Sequence, residues 1–120
     1  MSRSVLSKQK LMSATAVTQD GTVYSDSREF YDCDGTACLK IISTAGSITV
    51  SQQCSIDNET WYDPETSSGA AGAVEDTITE TTGRYLSFTP VLTPWIRFKV
   101  IEADNAATAV TLELVYRVEV

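Results

Sequence analysis

The stretch of the chain that is richest in side chains capable of chemistry runs from Ser55 to Pro64 and reads SIDNETWYDP. Its oxygen-bearing side chains are of the type that binds calcium, and a pair of its carboxylates is what glycoside hydrolysis requires. Its two aromatic rings, Trp61 and Tyr62, are of the type that stacks on sugars. A fourth interpretation needs no ligand, since the stretch also suits a polar corner between two strands. The candidate calcium ligands are Asp57, Asn58, Glu59 and Asp63.

The corner is the interpretation that the local sequence favours. Asp57 and Asn58 form a natural turn pair, because each side chain can hydrogen-bond to nearby backbone. Trp61 is then predicted to anchor the corner in the core, with Tyr62 on the opposite side of an extended chain. The spacing of the acids does not match an EF-hand loop, and a chain of 120 residues without cleft-building insertions argues against a glycosidase. A sugar platform stays open, and the exposure of the rings decides it.

Histidine is absent from the sequence, which excludes several kinds of active site within this chain. A Ser-His-Asp or Cys-His arrangement cannot form, and the commonest transition-metal ligand is missing. The three cysteines, Cys33, Cys38 and Cys54, are an odd number, which does not suit a closed disulfide framework. A bond between Cys33 and Cys38 across a hairpin stays open, although reduced thiols are favoured. We therefore predict that the protein is not an enzyme and holds neither a metal nor a cofactor.

Alternation of apolar and polar residues dominates much of the remaining sequence. Successive side chains of a strand point to opposite faces, so this period of two predicts half-buried strands. Turn sequences separate the runs, among them Asp20-Gly21, Asp34-Gly35, TAG at 44–46 and ADNAAT at 103–108. The clearest runs are SITVSQQCSI, PWIRFKVIE and AVTLELVYRVEV.

These runs predict an all-β fold, an antiparallel β-sandwich or jelly-roll-like domain of about seven or eight strands. Cys54 and Ile56 are expected on the apolar face of the first run, and residues 5–17 show no clear helical face. We expect residues 1–20 to be an extended N-terminal arm and residues 21–120 to be the sandwich. The predicted core residues are Ile48, Val50, Ile96, Phe98, Val100, Leu112 and Leu114.

Charge is spread unevenly between the predicted arm and the rest of the chain. Residues 1–10 contain three basic and no acidic residues, whereas the remainder contains six basic and sixteen acidic residues, a net charge of −10. An acidic body argues against a nucleic-acid partner. No apolar run approaches the ~20 residues of a membrane helix, and the N-terminus does not resemble a secretory signal. The residues predicted to bind a partner protein are Arg3, Val5, Leu6, Lys8, Lys10 and Leu11.

Four segments resemble small structural proteins of tailed-phage virions. They read SxDxxTWYDP, GRYLxFxP, PWIRFKVIE and TxVTLxLVYR, and the similarity covers roughly residues 35–120. In such proteins a β-sandwich contains an S-x-D corner with a T-W pair, and an arginine-bearing strand follows a Y-[LI]-x-F strand. The corner is also similar to the Asp-box hairpin of sialidase-like propellers, but it lacks the usual glycine and one residue. A single copy of the motif excludes a propeller.

The resemblance implies a capsid decoration or cement protein, or a tail or neck component, without catalysis. The implied partner is the major capsid protein or another virion protein, and the implied location is the virion, after assembly in the host cytoplasm. Cement proteins commonly act as trimers, so a homo-oligomer is expected, with a trimer as one form. A carbohydrate-binding adhesion module is the alternative, with Trp61, Tyr62 and Trp95 as stacking rings.

Overall fold

The fold consists of antiparallel β-strands in two packed sheets. The computed structural model describes residues 4–29, 33–44, 47–63, 75–78, 84–88, 93–102 and 107–119. None of these residues belongs to a helix that is long and apolar enough to cross a membrane. The strands within these residues are β1 (Ser4–Val17), β2 (Thr22–Tyr24), β3 (Arg28–Glu29), β4 (Cys33–Ser43), β5 (Ile48–Ser55), β6 (Glu75–Ile78), β7 (Arg84–Phe88), β8 (Trp95–Glu102) and β9 (Thr108–Glu119).

Strand order defines the two sheets. The first is four-stranded, in the order β1-β9-β4-β7, and the second is five-stranded, in the order β2-β8-β5-β6 with β3 also beside β8. Most strands therefore lie in the opposite sheet from the next strand in sequence, which is the winding of a jelly roll. The predicted all-β antiparallel sandwich is confirmed.

The core between the two sheets is filled by alternate residues along the strands. On β8, Ile96, Phe98 and Val100 are buried while the residues between them are half-buried. The rings of Phe98 and Phe88 meet edge to face, with their centroids 6.0 Å apart. All seven predicted core residues are buried, because each belongs to a strand with one covered face. Cys54 is also buried, as the alternation of its strand predicted.

A β-bulge separates β2 from β3 along the edge of the five-stranded sheet. Tyr24 pairs with Lys99 and Arg28 pairs with Ile96, so three residues of this edge oppose two residues of β8. At the bulge the backbone N–H of Ser25 donates to the Phe98 carbonyl oxygen at 2.9 Å. The Phe98 backbone N–H donates in return to the Ser25 hydroxyl, also at 2.9 Å. A side-chain oxygen thus replaces a backbone acceptor.

Residues 4–17 form β1, an edge strand of the four-stranded sheet, where the sequence had indicated an extended arm. The pairing with β9 runs from Ser4 opposite Glu119 to Val17 opposite Thr108. Two register shifts interrupt it, and Ala14 has a φ of 46°, so neighbouring residues lose strict alternation. The predicted division at residue 20 falls in the turn before β2, where the Gly21 N–H donates to the Thr18 carbonyl oxygen at 2.8 Å.

Two local predictions need correction because the strands end or bend elsewhere. Ile56 is 80% exposed instead of buried, since β5 ends at Ser55 and the chain turns there. The Asp34-Gly35 pair lies inside β4, beside a register shift, and not in a hairpin loop. Cys33 and Cys38 therefore lie along one strand, and Cys38 is a free thiol.

The other two predicted turns join strands that lie in different sheets. The TAG turn at 44–46 follows β4, and ADNAAT at 103–108 leads into β9. Within them, residues 45–46 and 103–106 lie outside the described residues.

Candidate functional site

The polar corner after β5 is held together by its own side chains. One carboxylate oxygen of Asp57 accepts hydrogen bonds at 2.9 Å from the Ser55 hydroxyl and from the backbone N–H groups of Glu59 and Thr60. The Ser55 oxygen accepts from the N–H groups of Asp57 and Asn58, at 3.2 and 2.9 Å. The hydrogen bonds from Thr60 and Glu59, followed by that from Ser55, lower the pKa of Asp57. Asp57 therefore stabilises the turn through the hydrogen bonds that its carboxylate accepts.

The turn returns the chain antiparallel to the end of β5. Backbone hydrogen bonds of 2.9 and 3.0 Å join Cys54 and Tyr62 in both directions. Directly opposed residues share a face of a sheet, so Tyr62 lies on the side of Cys54 and Trp61 lies on the outer side. The prediction that Trp61 anchors the core is wrong, because Trp61 is half-buried on the outer face of the five-stranded sheet.

Trp61 belongs to a cluster of three side chains on that outer face, which we name the Arg97 stack. The guanidinium carbon of Arg97 lies 4.1 Å from the ring centroid of Tyr24 and 4.5 Å from that of Trp61. Both distances suit cation–π attraction. Because β8 lies between β2 and β5, the two rings approach Arg97 from opposite sides of its strand.

A short hydrogen-bond chain links the Arg97 stack to Asp63. The Arg97 Nε donates to the Gln53 Oε1 at 2.8 Å, and the Gln53 Nε2 donates to Asp63 at 3.1 Å. The Lys99 ammonium lies 3.4 Å from the same carboxylate oxygen. The hydrogen bond from Gln53 and the charge of Lys99 lower the pKa of Asp63. Gln53 is buried even though it faces outward, since these neighbours surround it.

A surface pocket of about 430 Å³ opens on the other side of the same corner. It lies at the end of the sandwich, where β5 ends and β8 is about to begin. Ile56 and Tyr62, which are 80% and 69% exposed, belong to its lining, so its rim is apolar. Burial raises the pKa of the Cys54 thiol, which favours the neutral form inside the pocket. The lining consists of Cys54, Ser55, Ile56, Asp57, Thr60, Tyr62 and Thr93.

The folded corner is poorly suited to the calcium-binding, glycosidase and sugar-stacking roles that its residue types suggested. One carboxylate oxygen of Asp57 accepts three hydrogen bonds within the turn, and the Asp63 carboxylate contacts Gln53 and Lys99. Within the described ranges, no group of three or more His, Cys, Asp or Glu side chains converges as metal ligands would. Trp61 and Tyr62 face opposite sides, so they do not form one flat platform for a sugar. Of these two rings, that of Tyr62 is largely exposed and that of Trp61 is half-buried.

The residues predicted to bind a partner protein differ in where the structure places them. Arg3 and the side chain of Val5 lie outside the described residues. Leu6, Lys8 and Lys10 are exposed on β1, where the Lys10 ammonium lies 3.9 Å from Glu113.

Leu11 does not suit the partner-binding role that the sequence suggested. It is only 2% exposed, because a register shift turns it toward the core together with Met12. It is therefore unavailable to a partner while β1 stays in the sheet.

The Arg97 stack is a feature that sequence reasoning missed. Arg97 carried one signal, since it lies on the polar face of an alternating strand together with Trp95 and Lys99. The contribution of Tyr24 depends on the pairing of β2 with β8, and that of Trp61 depends on the length of the turn. Neither of these backbone pairings can be recognised from a local pattern in the sequence.

No protein-family model and no curated protein sequence matches this chain. Its fold is similar to that of the PBSX exported protein XepA, with a TM-score of 0.64 and 9% identity, over 92% of this chain and 36% of XepA. It is also similar to the SPBc2 prophage-derived protein YomS, with a TM-score of 0.61 and 12% identity, over 96% of this chain and 95% of YomS.

A carbohydrate-binding module of family 29 has a TM-score of 0.54 and 12% identity, over 96% of this chain and 89% of the module. The chain spans little more than a third of XepA but nearly the whole of YomS and of the module. At these identities the similarities show a shared fold. The structural neighbours thus include both prophage-derived proteins and a carbohydrate-binding module.

Proposed function

We propose that this chain is a non-enzymatic virion structural protein, a capsid decoration or cement protein that binds and stabilises the assembled phage shell through protein–protein contacts. The observation that carries the proposal is the apolar rim formed by Ile56 and Tyr62 beside the pocket at the end of the sandwich. The corner beneath the rim is fixed by Asp57, so the two side chains are displayed from a rigid base.

An apolar rim of this kind suits a protein partner. Full burial of an isoleucine side chain contributes about 1.5–3 kcal/mol, and tyrosine is enriched among the residues that dominate binding energy at interfaces. The pocket between the two rim residues offers space for a side chain of the partner. Exposed Leu6 on β1 provides a second apolar contact point on the same molecule.

The shared fold supports the phage setting of the proposal. YomS is described as prophage-derived, and the similarity extends over nearly the whole length of both chains. Jelly rolls are a common architecture of viral capsid domains. The partner in this proposal is the major capsid protein or another virion protein, and the working form is a homo-oligomer, which light scattering on the purified full chain measures.

The test combines particle labelling with a matched pair of variants. Virions purified from cells that express the chain are labelled with antibody against it, and we expect label on the shell. Ile56→Ser with Tyr62→Ser should abolish recovery of the chain with particles. Tyr85→Ser, which removes an equally exposed ring from the other sheet, should not. Label on the tail or neck would favour that location instead, and absence from particles would overturn the proposal.

The second candidate is a carbohydrate-binding adhesion module, which two observations favour. The fold is similar to that of a carbohydrate-binding module of family 29, and Tyr62 presents a ring that is 69% exposed beside a pocket. Affinity electrophoresis in gels containing soluble polysaccharides tests it. Retardation that disappears in Tyr62→Ser and persists in Tyr85→Ser would support sugar binding, whereas unchanged mobility in every gel would exclude it for the sugars used.

A further inference from the structure

The guanidinium of Arg97 is fixed on three sides. The rings of Tyr24 and Trp61 lie 4.1 and 4.5 Å from its central carbon, and Gln53 accepts from its Nε at 2.8 Å. A long, flexible side chain normally loses much rotamer freedom when it binds a ligand. The fold already restricts the rotamer freedom of Arg97, so this side chain is preorganised for binding a ligand.

The remaining edge of the guanidinium is open. Arginine has five N–H donors, and only the Nε donor is engaged in a hydrogen bond with the described residues. Every buried side-chain nitrogen or oxygen in the described ranges has a hydrogen-bond partner, so the two unpaired terminal nitrogens of Arg97 reach solvent. The nearby carboxylate of Asp63 is bound by Gln53 and Lys99 instead. Arg97 is thus a positioned cation without an anion among the described residues.

Partial burial makes the missing anion significant. Desolvation lowers the pKa of Arg97, which means that the surroundings disfavour its positive charge. Cation–π contacts with two rings offset part of this cost but do not satisfy the terminal N–H groups. Two parallel N–H donors on one planar edge match the two oxygens of a carboxylate, and such bidentate pairs are among the strongest charge-assisted hydrogen bonds.

We propose that the open edge of Arg97 is a carboxylate-binding site, which receives an Asp or Glu side chain of the partner protein. The site itself follows from the geometry, and only the identification of its carboxylate as part of a protein rests on the proposed function. A single carboxylate suits this chain better than a polyanion does. The net charge of −7 repels nucleic acids and anionic membranes, whereas one side-chain carboxylate meets the fixed cation with little additional charge.

The site is tested by nuclear magnetic resonance on the 15N-labelled full chain, with sodium acetate as the probe. We expect the Arg97 Nε–H signal to shift saturably with acetate, and the signals of the neighbouring Trp61 indole to follow. Sodium chloride at the same ionic strength should not reproduce the shifts. The exposed Arg117 of the other sheet is the internal control, and its signal should show no saturation.

Arg97→Lys should weaken acetate binding about tenfold, since one of two charge-assisted hydrogen bonds is lost, whereas Arg117→Lys should leave it unchanged. The titration of the unaltered chain needs no variant, so it remains decisive if Arg97→Lys unfolds. Equal shifts with acetate and chloride would overturn the site. Tighter binding of inorganic phosphate than of acetate would overturn the carboxylate assignment.

Particle binding separates this inference from the proposed function. Loss of particle binding in Arg97→Lys, with retention in Arg117→Lys, would support a carboxylate on the virion as the occupant. Saturable acetate binding by a chain that is absent from particles would sustain the site and overturn its assignment to a virion partner.

Discussion

Replacement of Ser25 by alanine is expected to destabilise the sandwich although it removes a single oxygen atom. That oxygen accepts the backbone N–H of Phe98 at 2.9 Å, in place of a backbone carbonyl at the bulge between β2 and β3. Ser25 and Phe98 are both buried, so water does not readily replace the lost acceptor. An unsatisfied buried N–H costs about 1–3 kcal/mol, and we expect a loss near the middle of this range.

The measurement is urea unfolding followed by the fluorescence of the two tryptophans. For a domain of this size the dependence of the free energy of unfolding on urea is about 1–3 kcal/mol per M, so a loss of about 2 kcal/mol lowers the midpoint by about 1 M. Hydrogen exchange provides the local readout, because the Phe98 amide should exchange faster in Ser25→Ala than in the unaltered chain.

Two control variants isolate the hydroxyl. Ser25→Thr retains a hydroxyl that can accept the same hydrogen bond. Ser27→Ala removes a hydroxyl, two residues later, that makes no hydrogen bond with the described residues, so its effect should stay within about 0.5 kcal/mol. If Ser25→Ala matched Ser27→Ala in stability and the Phe98 amide stayed protected, the hydroxyl would not be the essential acceptor and the reasoning would fail.

Three further predictions concern the core, the corner and the thiols. Phe98→Ala should lower the free energy of unfolding by about 3–5 kcal/mol, since its ring is fully buried; a loss below about 1 kcal/mol in urea unfolding would contradict its core position. The lowered pKa of Asp57 means that its stabilising effect is present above its ordinary value of 3.8 and is lost as pH falls through the lower folded pKa. Titration of the Asp57 carboxyl carbon by nuclear magnetic resonance measures this pKa in the folded protein, and a value of 3.8 or more would refute the prediction. Iodoacetamide should alkylate half-buried Cys38 faster than buried Cys54, whose pKa is raised by burial, and peptide mass spectrometry that showed equal rates would disprove it.

The strands that could be predicted from the sequence are those in which one face is consistently apolar and the other is more polar. In β8 and β9 apolar residues recur at every second position and are buried between the sheets, namely Ile96, Phe98, Val100, Val110, Leu112 and Leu114. β1 gave no such signal, because its register shifts put Leu11 and Met12, which are consecutive, into the core together. A bulge changes the face of a residue without changing its type, so the pattern of residue types did not reveal this strand.

The position of Trp61 shows why the site was harder to predict than the fold. The polar turn was recognised from Asp57 and Asn58, and both take part in it. The face of Trp61, however, depends on the pairing of Tyr62 with Cys54, and a change of one residue in the turn would reverse it. Arg97, which then covers the ring of Trp61, is distant in sequence and carries no local signal for that contact.

The central place of β9 in the four-stranded sheet affects how the chain folds during synthesis. β9 (Thr108–Glu119) separates β1 from β4, so until β9 has left the ribosome β1 lacks its neighbour in the sheet and β4 can pair only with β7. At about 5–20 residues per second, roughly 5–20 s pass between the completion of β1 and the start of β9. From the synthesis of β4 until that of β9, Leu39 and Ile41 of β4 have apolar side chains but no completed sheet around them. Chaperone demand during translation should therefore be high, and expression at low temperature should improve the yield of folded protein.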